Sequence, residues 1–517
     1  MSNTFSKIRN AIELFRSIDF DQLSDISQKV NLPKLMENFS KLDDKQLNGM
    51  MKMLDPNKKK KELPAIDGDF YDIYHTLSPE QREIQLKVRA FMEKEVKPLV
   101  NHYWLRDEFP HELIPKFQKL NICGVTYEGY GCPGMPFLME GVIAMEMARI
   151  DASIATFFGV QSGLSMGSIY ICGSEEQKQK WLPQMQRFEK IGAFGLTEPE
   201  VGSGAAGGLT VACKKTPEGW ILNGQKKWIG NATFADLIII WARDLDDGEV
   251  KGFIVEKDNP GYSVEKIKGK MALRIVQNGL ITLKDCLVTE ENRLQNANSF
   301  KDTAKVLRMT RAGVAWMATG CARGAYESAL DYTRKREQFG KPIASFQMIQ
   351  GHLVEMLSNL TAMQTMVFRL SEMQDEGILK DEHASLAKVF CTMRTRDVVS
   401  RAREVMGGNG ILLEYDVARF VADAEAIYSY EGTKEINSLI VGRSITDLRE
   451  IKGGGGAEKC DIGPVGCPCK IPPGDPCLGG GGDPGNPGDP VGYCPDSGQY
   501  IYCSEVCPNG LQPLCAL

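Results

Sequence analysis

The chain of 517 residues lacks several features that would each indicate a particular class of protein. It contains no run of 18 apolar residues, which argues against a membrane-spanning helix. Its formal net charge is −6, and nucleic-acid binding requires a concentrated basic face, so nucleic acid is not an expected partner. The first residues show no continuous apolar segment followed by a small-residue cleavage site, so no secretory signal is expected.

Cysteines with metal-ligand spacing are also missing from most of the chain. Seven of the 15 cysteines occur singly between Cys123 and Cys391, and no metal site is expected among them. The other eight lie between Cys460 and Cys515, in a Gly- and Pro-rich segment that cannot form an apolar core. Three states remain open for this tail: a set of disulfides, a disordered segment or a metal-bound module.

Composition and periodicity divide the sequence into five parts. Apolar residues recur every three or four positions from Phe5 to Ile18, which predicts a helical extension that ends in a Lys-rich linker. Docking of this helix on its own protein is favoured over a membrane-surface or targeting role. The predicted parts are the extension at 1–66, a helical domain at 67–190, a β-domain at 191–301, a helical bundle at 302–451 and the Gly/Pro/Cys-rich tail at 452–517.

The first helical domain carries a clear helix start. Ser78, Pro79 and Gln81 predict a capping box with proline at the first helical position, opening a helix that runs to about Val100. Further helices are predicted at 112–120, 138–149, 152–172 and 175–186.

After residue 190 the pattern changes to short runs rich in β-branched and aromatic residues, several of them separated by Asn-Gly and Asp-Asp-Gly turns. Strands are predicted at 192–196, 209–214, 219–223, 226–229, 237–243, 252–255, 262–266 and 280–287, and favour an antiparallel barrel or sandwich. Long periodic segments then return at 302–336, 344–376, 381–407 and 415–449, and predict a four-helix bundle. The fold class is therefore α+β.

Five motifs place ligand-binding residue types at the ends of predicted elements. The segment 194–203 ends a strand in Thr, Gly and Ser, which offer amides and hydroxyls to an anionic or heteroaromatic ligand. Trp228 can stack on a flat ring system, and segment 336–342 offers an arginine and an aromatic at a helix end. A glycine turn at 404–410 and the sequence Tyr-Glu-Gly-Thr at 430–433 complete the set. Each alone is more often structural; their order and spacing together favour a ligand site.

In this order the motifs resemble the acyl-CoA dehydrogenase and acyl-CoA oxidase superfamily of flavoproteins, over about residues 70–450. The resemblance implies an N-terminal helical domain, a central β-barrel and a C-terminal four-helix bundle, assembled as a homotetramer. FAD would lie between barrel and bundle, with its adenine end reaching the neighbouring subunit. The segments 228–231 and 129–134 are most similar to short-chain plant-type acyl-CoA oxidases, and the glutaryl-CoA dehydrogenase branch comes next.

The resemblance also assigns roles to residues by position. Glu431 matches the catalytic base. Residues implied to line the isoalloxazine and pyrophosphate are Phe194, Leu196, Thr197, Gly202, Ser203, Trp228, Ile229 and Gly230. Residues implied to hold the adenosine half across the dimer are Arg336, Phe339, Gln347, Glu404, Gly407 and Gly408. Thr433 and Glu435 would contact the cofactor on the near side. Residues implied to contact the substrate are Ser203, Arg274, Tyr430 and Gly432.

The implied reaction is FAD-dependent α,β-dehydrogenation of a short- or medium-chain acyl-CoA to the trans-2-enoyl-CoA, as in fatty acid β-oxidation. Glu431 would take the α-proton, flavin N5 would accept the hydride, and the Glu431 N–H with a flavin ribityl hydroxyl would bind the thioester oxygen. Burial beside aromatics should raise the pKa of Glu431 towards neutrality. Electrons would pass to an electron-transfer flavoprotein, or to O2 if the protein is an oxidase.

Several positions depart from the family pattern. Gly230 stands where most of these dehydrogenases have a Thr that bonds the flavin, and Gly204 and Glu404 replace an Asp and a Gln, so weaker FAD affinity is expected. Ala155 aligns with the Arg that pairs with the substrate carboxylate in glutaryl-CoA dehydrogenases, so an uncharged acyl chain is expected.

Two further expectations concern the end of the chain. It ends in Cys515-Ala516-Leu517 rather than in a Ser-Lys-Leu type signal, which favours a cytoplasmic over a peroxisomal location. The alternative from another class of protein is a scaffold or leader that carries the Cys-rich tail as a peptide module.

Overall fold

The computed structural model describes residues 63–447 together with four short strands in the tail. Those strands, Pro490–Cys494, Gln499–Tyr502, Glu505–Cys507 and Gly510–Gln512, form two antiparallel pairs. The helix predicted before residue 63 and the state of the eight tail cysteines lie outside the described residues.

The first domain is helical. Its first helix begins with the expected capping box, in which Ser78 and Gln81 exchange side-chain-to-backbone hydrogen bonds. The helices are α1 (Pro79–Phe91), α2 (Lys97–Arg106), α3 (Ile114–Gln118), α4 (Phe137–Ala148), α5 (Ala152–Gly159), α6 (Met166–Cys172) and α7 (Glu175–Gln186).

Two π-helical turns interrupt helices that were predicted to be regular. Met92–Val96 joins α1 to α2, and Pro98 accounts for it, because proline has no N–H to donate and its ring clashes with the carbonyl four residues back. Val160–Ser165 joins α5 to α6. The whole stretch Ala152–Cys172 is the one described helix long and apolar enough to cross a membrane, and 72% of its most apolar window is buried inside the protein.

The middle domain is a curled sheet of seven strands. They are β1 (Gly192–Gly195), β2 (Ala212–Thr216), β3 (Gly219–Ile229), β4 (Leu237–Asp244), β5 (Val250–Glu256), β6 (Tyr262–Lys266) and β7 (Gly279–Val288), with a short helix α8 (Ala205–Gly208) after β1. The strands predicted at 219–223 and 226–229 form the single strand β3. The Asn223-Gly224 pair does not form a turn, and β3 continues through it alongside β7, with a register shift between Leu222 and Gly224.

The sheet is mixed, so the prediction of an antiparallel arrangement is wrong in part. The strand order is β1-β4-β2-β3-β7-β6, and β5 pairs with β4. Both β1 and β2 run parallel to β4, whereas the other pairs are antiparallel. The chain passes through α8, β2 and β3 between β1 and β4, and a crossover of this length allows parallel pairing where a short hairpin loop does not.

The last domain is a bundle of long helices. They are α9 (Phe300–Lys335), α10 (Gln347–Asp375), α11 (Asp381–Val405), α12 (Val417–Ser429) and α13 (Lys434–Thr446). The segment predicted as one helix at 415–449 is therefore two, separated by residues 430–433. Since α9 packs against α4, α10, α11 and α12, the break between α12 and α13 lies beside the core of the bundle.

Candidate active site

The break between α12 and α13 is a turn with left-handed backbone. Glu431 has φ 52° and Gly432 has φ 90°, and this conformation costs a residue with a side chain about 1–2 kcal/mol. Lys388 Nζ and Asn437 Nδ2 both donate to the Gly432 carbonyl, the second at 2.9 Å, and the Thr433 side chain caps α13. These contacts offset the strain and fix the direction of the Glu431 side chain.

The Glu431 carboxylate points into the protein rather than into solvent. Its Oε2 accepts a hydrogen bond from Thr310 Oγ1 of α9 at 3.2 Å. Burial raises the pKa of Glu431, while the positive charge of Lys388, the hydrogen bond from Thr310 and the charge of Arg311 oppose that rise. A carboxylate with a raised pKa is a stronger base than an exposed one.

A second carboxyl group, Glu140 of α4, faces the same space. Burial and then the charge of Glu431 raise the pKa of Glu140 to about 7. A methyl group at Gly163 would lie 3.3 Å from Thr310 Cγ2 and 3.6 Å from Glu140 Oε1. The Val160–Ser165 turn therefore lines the space that Glu140 and Glu431 share, and the absence of a side chain at Gly163 keeps it open.

The end of β3 carries an exposed aromatic side chain. Trp228, at the end of β3, has φ 67°, and 53% of its surface is exposed. The strand end is held by a hydrogen bond from Lys227 N–H to the Thr197 carbonyl at 2.8 Å, and by one from Asn278 Nδ2 to the Trp228 carbonyl at 3.1 Å. An exposed indole held in a strained conformation suits stacking on a flat ligand.

The π-helical turn connects the sheet to the carboxylates. A methyl group at Gly230 would lie 3.3 Å from Val160 Cγ2, and Val160 and Gly163 belong to the same turn, Val160–Ser165. Three residues of helix span only about 5 Å. The end of β3 and the carboxyl groups of Glu140 and Glu431 therefore all lie close to this segment.

A buried ion pair holds the segment 196–198, which directly follows β1. Lys226 Nζ donates to Glu198 Oε1 at 2.8 Å and to the Leu196 carbonyl at 2.9 Å, and neither side chain is more than 2% exposed. Glu198 also accepts from the N–H groups of Thr210 and Val211. Burial lowers the pKa of Lys226 to about 8, although Glu198 opposes the change. The pair fixes the 196–198 segment against β3.

Comparison with known proteins matches the chain to one family throughout its three domains. Family models of the acyl-CoA dehydrogenase N-terminal, middle and C-terminal domains match residues 78–189, 193–286 and 300–446. An acyl-CoA dehydrogenase of Bacillus subtilis (strain 168) is 33% identical over 372 residues, which are 71% of this chain and 98% of that protein. The chain belongs to the acyl-CoA dehydrogenase family. The family expected from the sequence is thereby confirmed.

Other members share the fold and most of their length with it. A subunit of the caffeyl-CoA reductase-Etf complex of Acetobacterium woodii is 30% identical, over 70% of this chain and 97% of that subunit. A glutaryl-CoA dehydrogenase of Mycobacterium smegmatis, solved in complex with FADH2, has TM-score 0.71 and 33% identity over 73% of this chain and 97% of the other. Butyryl-CoA dehydrogenase of Megasphaera elsdenii has TM-score 0.69 and 32% identity over 71% and 98%.

The predicted flavin-side residues of this acyl-CoA dehydrogenase family member divide by exposure. Phe194, Leu196 and Ile229 are buried in the sheet core, so they would support the site from behind. The residues that are partly or fully exposed at the strand ends and loops are Thr197, Gly202, Ser203, Trp228 and Gly230. Thr433 and Glu435 lie at the start of α13, where Thr433 uses its hydroxyl as the helix cap.

The residues predicted to bind adenosine are exposed. Phe339 has φ 52° and is 92% exposed. Glu404 Oε1 lies 3.6 Å from His352 Nε2. The remaining exposed members of this group are Arg336, Gln347, Gly407 and Gly408.

The four predicted substrate residues occupy different surroundings. Tyr430 and Gly432 flank Glu431 in the turn, and Ser203 is exposed in the loop after β1. Arg274 donates to the carbonyls of Trp104, Leu105 and Lys270, and its guanidinium lies 5.1 Å from the Trp104 ring centroid. Because these carbonyls engage it, Arg274 joins the end of α2 to the sheet.

Sequence reasoning missed Thr310, Glu140 and Lys388. Lys388 had a detectable signal: it is a lone charge on the face of α11 that otherwise carries small apolar side chains such as Ala384 and Cys391. Glu140 follows Met139 in the first turn of a strongly apolar helix. Thr310 had no such signal, because a threonine is ordinary on either face of a helix.

The raised pKa of Glu140 leads to a prediction about stability. The unfolded carboxyl ionises near its ordinary value of 4.5, whereas the folded one keeps its proton to about pH 7. The folded state therefore loses stability as pH rises between these values and stays destabilised above them. We expect Glu140→Gln, which cannot ionise, to exceed the wild type by roughly 3 kcal/mol in unfolding free energy at pH 8 and by less than about 1 kcal/mol at pH 5.

The measurement is chemical unfolding of the FAD-loaded protein at both pH values. Glu128→Gln, at an exposed position, controls for loss of a negative charge and should differ from the wild type equally at pH 5 and pH 8. A Glu140→Gln protein whose advantage is the same at the two pH values would show that Glu140 is ionised in both.

Proposed function

We propose that this protein catalyses the FAD-dependent α,β-dehydrogenation of a short- or medium-chain, uncharged acyl-CoA to the trans-2-enoyl-CoA, with Glu431 as the base. The observation that carries the proposal is the Glu431 turn. The partly buried Glu431 has a left-handed backbone that Lys388 and Asn437 hold, and its carboxylate accepts a hydrogen bond from Thr310.

The chain's own residues fit a flavin. Trp228 presents an exposed aromatic face, and the loop around Gly202 and Ser203 offers unobstructed backbone to a phosphate. The glutaryl-CoA dehydrogenase with FADH2 supports the same cofactor here. Trp228, Thr197 and Ser203 would hold it on the sheet side, and Thr433 on the bundle side. When bound, the flavin supplies the acceptor for two electrons and one hydrogen from the β-carbon.

The residues of the turn carry the acid–base part of the reaction. Glu431 removes the α-proton, and desolvation makes its carboxylate basic enough to do so near neutral pH. The left-handed turn leaves the Glu431 N–H outside the hydrogen bonds of α12 and α13, where it serves as a donor to the thioester oxygen. The kcat should rise as pH passes through the raised pKa of Glu431, because only the ionised carboxylate accepts the proton.

The charges around the cleft favour an uncharged acyl chain. Ala155 is buried and carries no positive charge to pair with a substrate carboxylate. Glu140 adds a second acidic group to the space beside Thr310, and above its pKa of about 7 it would repel an anionic acyl chain. The similar butyryl-CoA dehydrogenase supports a short acyl chain. Ala155 and Glu140 argue against glutaryl-CoA as the substrate, although a glutaryl-CoA dehydrogenase is among the similar structures.

An electron-transfer flavoprotein is the proposed electron acceptor, supported by the similar subunit of an Etf complex. The test is to reduce the FAD-loaded protein with butyryl-CoA without oxygen and then add either acceptor. Rapid reoxidation by an electron-transfer flavoprotein, with slow reoxidation by O2, is the expected result. Rapid reoxidation by O2 with stoichiometric peroxide would identify an oxidase instead.

The substrate class is tested with a series of acyl-CoA esters. Turnover with C4 to C8 straight-chain esters, and little turnover with glutaryl-CoA at pH 8, is expected from the acidic Glu140 and the uncharged Ala155. Glutaryl-CoA as the preferred substrate would contradict the proposal that the acyl chain is uncharged. No turnover of any acyl-CoA by FAD-loaded protein would refute the proposed function itself.

A homotetramer is the proposed assembly. Phe339 and Arg336 are exposed, so they are available to a cofactor bound by a neighbouring subunit, as the family resemblance implies. Light scattering of the FAD-loaded protein should give four times the chain mass, 57.3 kDa. A monomer that turns over acyl-CoA at full rate would contradict this assembly.

A further inference from the structure

Lys388 is a buried lysine that the reaction proposed above does not use. It lies in the first third of α11, with only 1% of its surface exposed, between the buried residues Ala384 and Cys391. Burying an ammonium group away from water is costly unless it is hydrogen-bonded or paired. Within the described part of the chain, no carboxylate oxygen lies within 4.0 Å of its Nζ, so a salt bridge does not account for its place.

The hydrogen bond of Lys388 goes to the backbone of the Glu431 turn. Its Nζ donates to the carbonyl of Gly432, which also accepts from Asn437 Nδ2 at 2.9 Å. That carbonyl directly follows the two residues with positive φ. Lys388 thus reaches from a rigid helix of the bundle core to the strained turn that presents the proposed base.

We propose that Lys388 is a positioning residue for the acyl-CoA dehydrogenation inferred above: its ammonium group anchors the Gly432 carbonyl, keeps Glu431 in its left-handed conformation and holds the Glu431 carboxylate ionised. This inference rests on the proposed function. It assigns Lys388 two separable effects, a hydrogen bond that sets geometry and a charge that sets the protonation of the base.

The charged surroundings of Glu431 come from three elements. Helix α9 contributes Thr310 as a donor and Arg311 as a second positive charge, α4 contributes the carboxyl of Glu140, and α11 contributes Lys388. The charge of Lys388 is the largest effect that opposes the burial of Glu431. Burial lowers the pKa of Lys388 itself to about 8, so it is protonated at neutral pH and loses its charge as pH rises through that value.

Three substitutions separate the two effects. Lys388→Met removes both the donor and the charge, Lys388→Gln keeps a donor without the charge, and Lys388→Arg keeps the charge. Lys305→Met, which removes an exposed lysine on α9, is the matched control. Each protein is loaded with FAD, and kcat for butyryl-CoA oxidation is measured as a function of pH.

For Lys388→Met we expect kcat at pH 7 to fall about tenfold to a hundredfold, and the acidic limb of the kcat profile to move to higher pH by about one unit, because loss of a nearby positive charge raises the pKa of a carboxylate. Lys388→Gln should show the same shift of the limb with a kcat nearer the wild type on the alkaline plateau. Lys388→Arg and Lys305→Met should keep the wild-type limb.

Two results would overturn the inference. If Lys388→Met and Lys388→Gln keep the wild-type limb, Lys388 does not set the protonation of Glu431, and any loss of kcat reflects structure alone. If all four variants match the wild type in kcat, the lysine positions nothing. Should Lys388→Met not fold, Lys388→Gln and Lys388→Arg still give opposite predictions for the limb. A wild-type protein without acyl-CoA turnover would instead refute the proposed function.

Discussion

Glu431→Gln is expected to retain FAD and to lose turnover of acyl-CoA by about two to four orders of magnitude, the typical contribution of a positioned general base. The amide has almost the same size as the carboxylate and still accepts the hydrogen bond from Thr310, so the turn that Lys388 and Asn437 hold should persist. It has no basic oxygen for the α-proton. The measurement is steady-state kcat with an electron-transfer flavoprotein as acceptor, beside the absorbance spectrum of the bound flavin.

The matched control is Glu425→Gln, six residues earlier on α12. Glu425 is partly exposed and pairs with Arg396 on the surface at 2.8 Å, so its loss should change kcat less than about twofold, as surface ion pairs contribute little. A Glu431→Gln protein with kcat close to that of the control would remove Glu431 from the reaction. A variant that fails to hold FAD would show that the residue supports the fold rather than the chemistry.

Lys226→Met is expected to destabilise the protein by about 3–5 kcal/mol, the cost of leaving one partner of a buried ion pair uncompensated. Glu198 would keep its two backbone donors from Thr210 and Val211 but lose its counter-charge, and the Leu196 carbonyl would lose a donor. Because the same segment continues to Thr197 and the proposed flavin site, FAD retention should fall together with the midpoint of unfolding.

The test compares unfolding midpoints and the FAD remaining after gel filtration. Lys214→Met, on the exposed face of β2, should change unfolding free energy by less than about 0.5 kcal/mol. Combining Lys226→Met with Glu198→Gln should recover part of the loss, because the second change removes the unpaired charge. Equal stability of the wild type and Lys226→Met would mean that the pair does not hold this strand end.

The sequence was sufficient for elements whose signals are local. The capping box at Ser78 and Gln81 starts α1 where it was expected, and the long periodic segments between residues 302 and 405 are helices within a few residues of their predicted ends. The order of helical domain, β-domain and helical bundle followed from the change in periodicity alone.

Elements that depend on distant partners were not predictable in this way. Asn223-Gly224 has the composition of a hairpin turn, yet pairing with β7 keeps β3 extended through it. The parallel pairing of β1 and β2 with β4 arises from a crossover that no local pattern records. The break at Tyr430 was hidden because the flanking residues keep helical periodicity on both sides.

The candidate site shows the same division. The motif around Glu431 was recognisable as a sequence, but its left-handed backbone and its partners on α9 and α11 depend on tertiary packing. Glu140 and Lys388 act on Glu431 through their charges. They precede it in the sequence by 291 and 43 residues. No local sequence pattern brings such residues together.

The decisive measurement is the reductive half-reaction without oxygen. Butyryl-CoA is mixed rapidly with FAD-loaded protein, and flavin absorbance is followed while the enoyl-CoA product is quantified. The wild type and Glu425→Gln should bleach with one trans-2-enoyl-CoA formed per flavin, whereas Glu431→Gln should bind butyryl-CoA and remain oxidised over the same period. Bleaching of Glu431→Gln at the wild-type rate would contradict the role of the Glu431 carboxylate as the base.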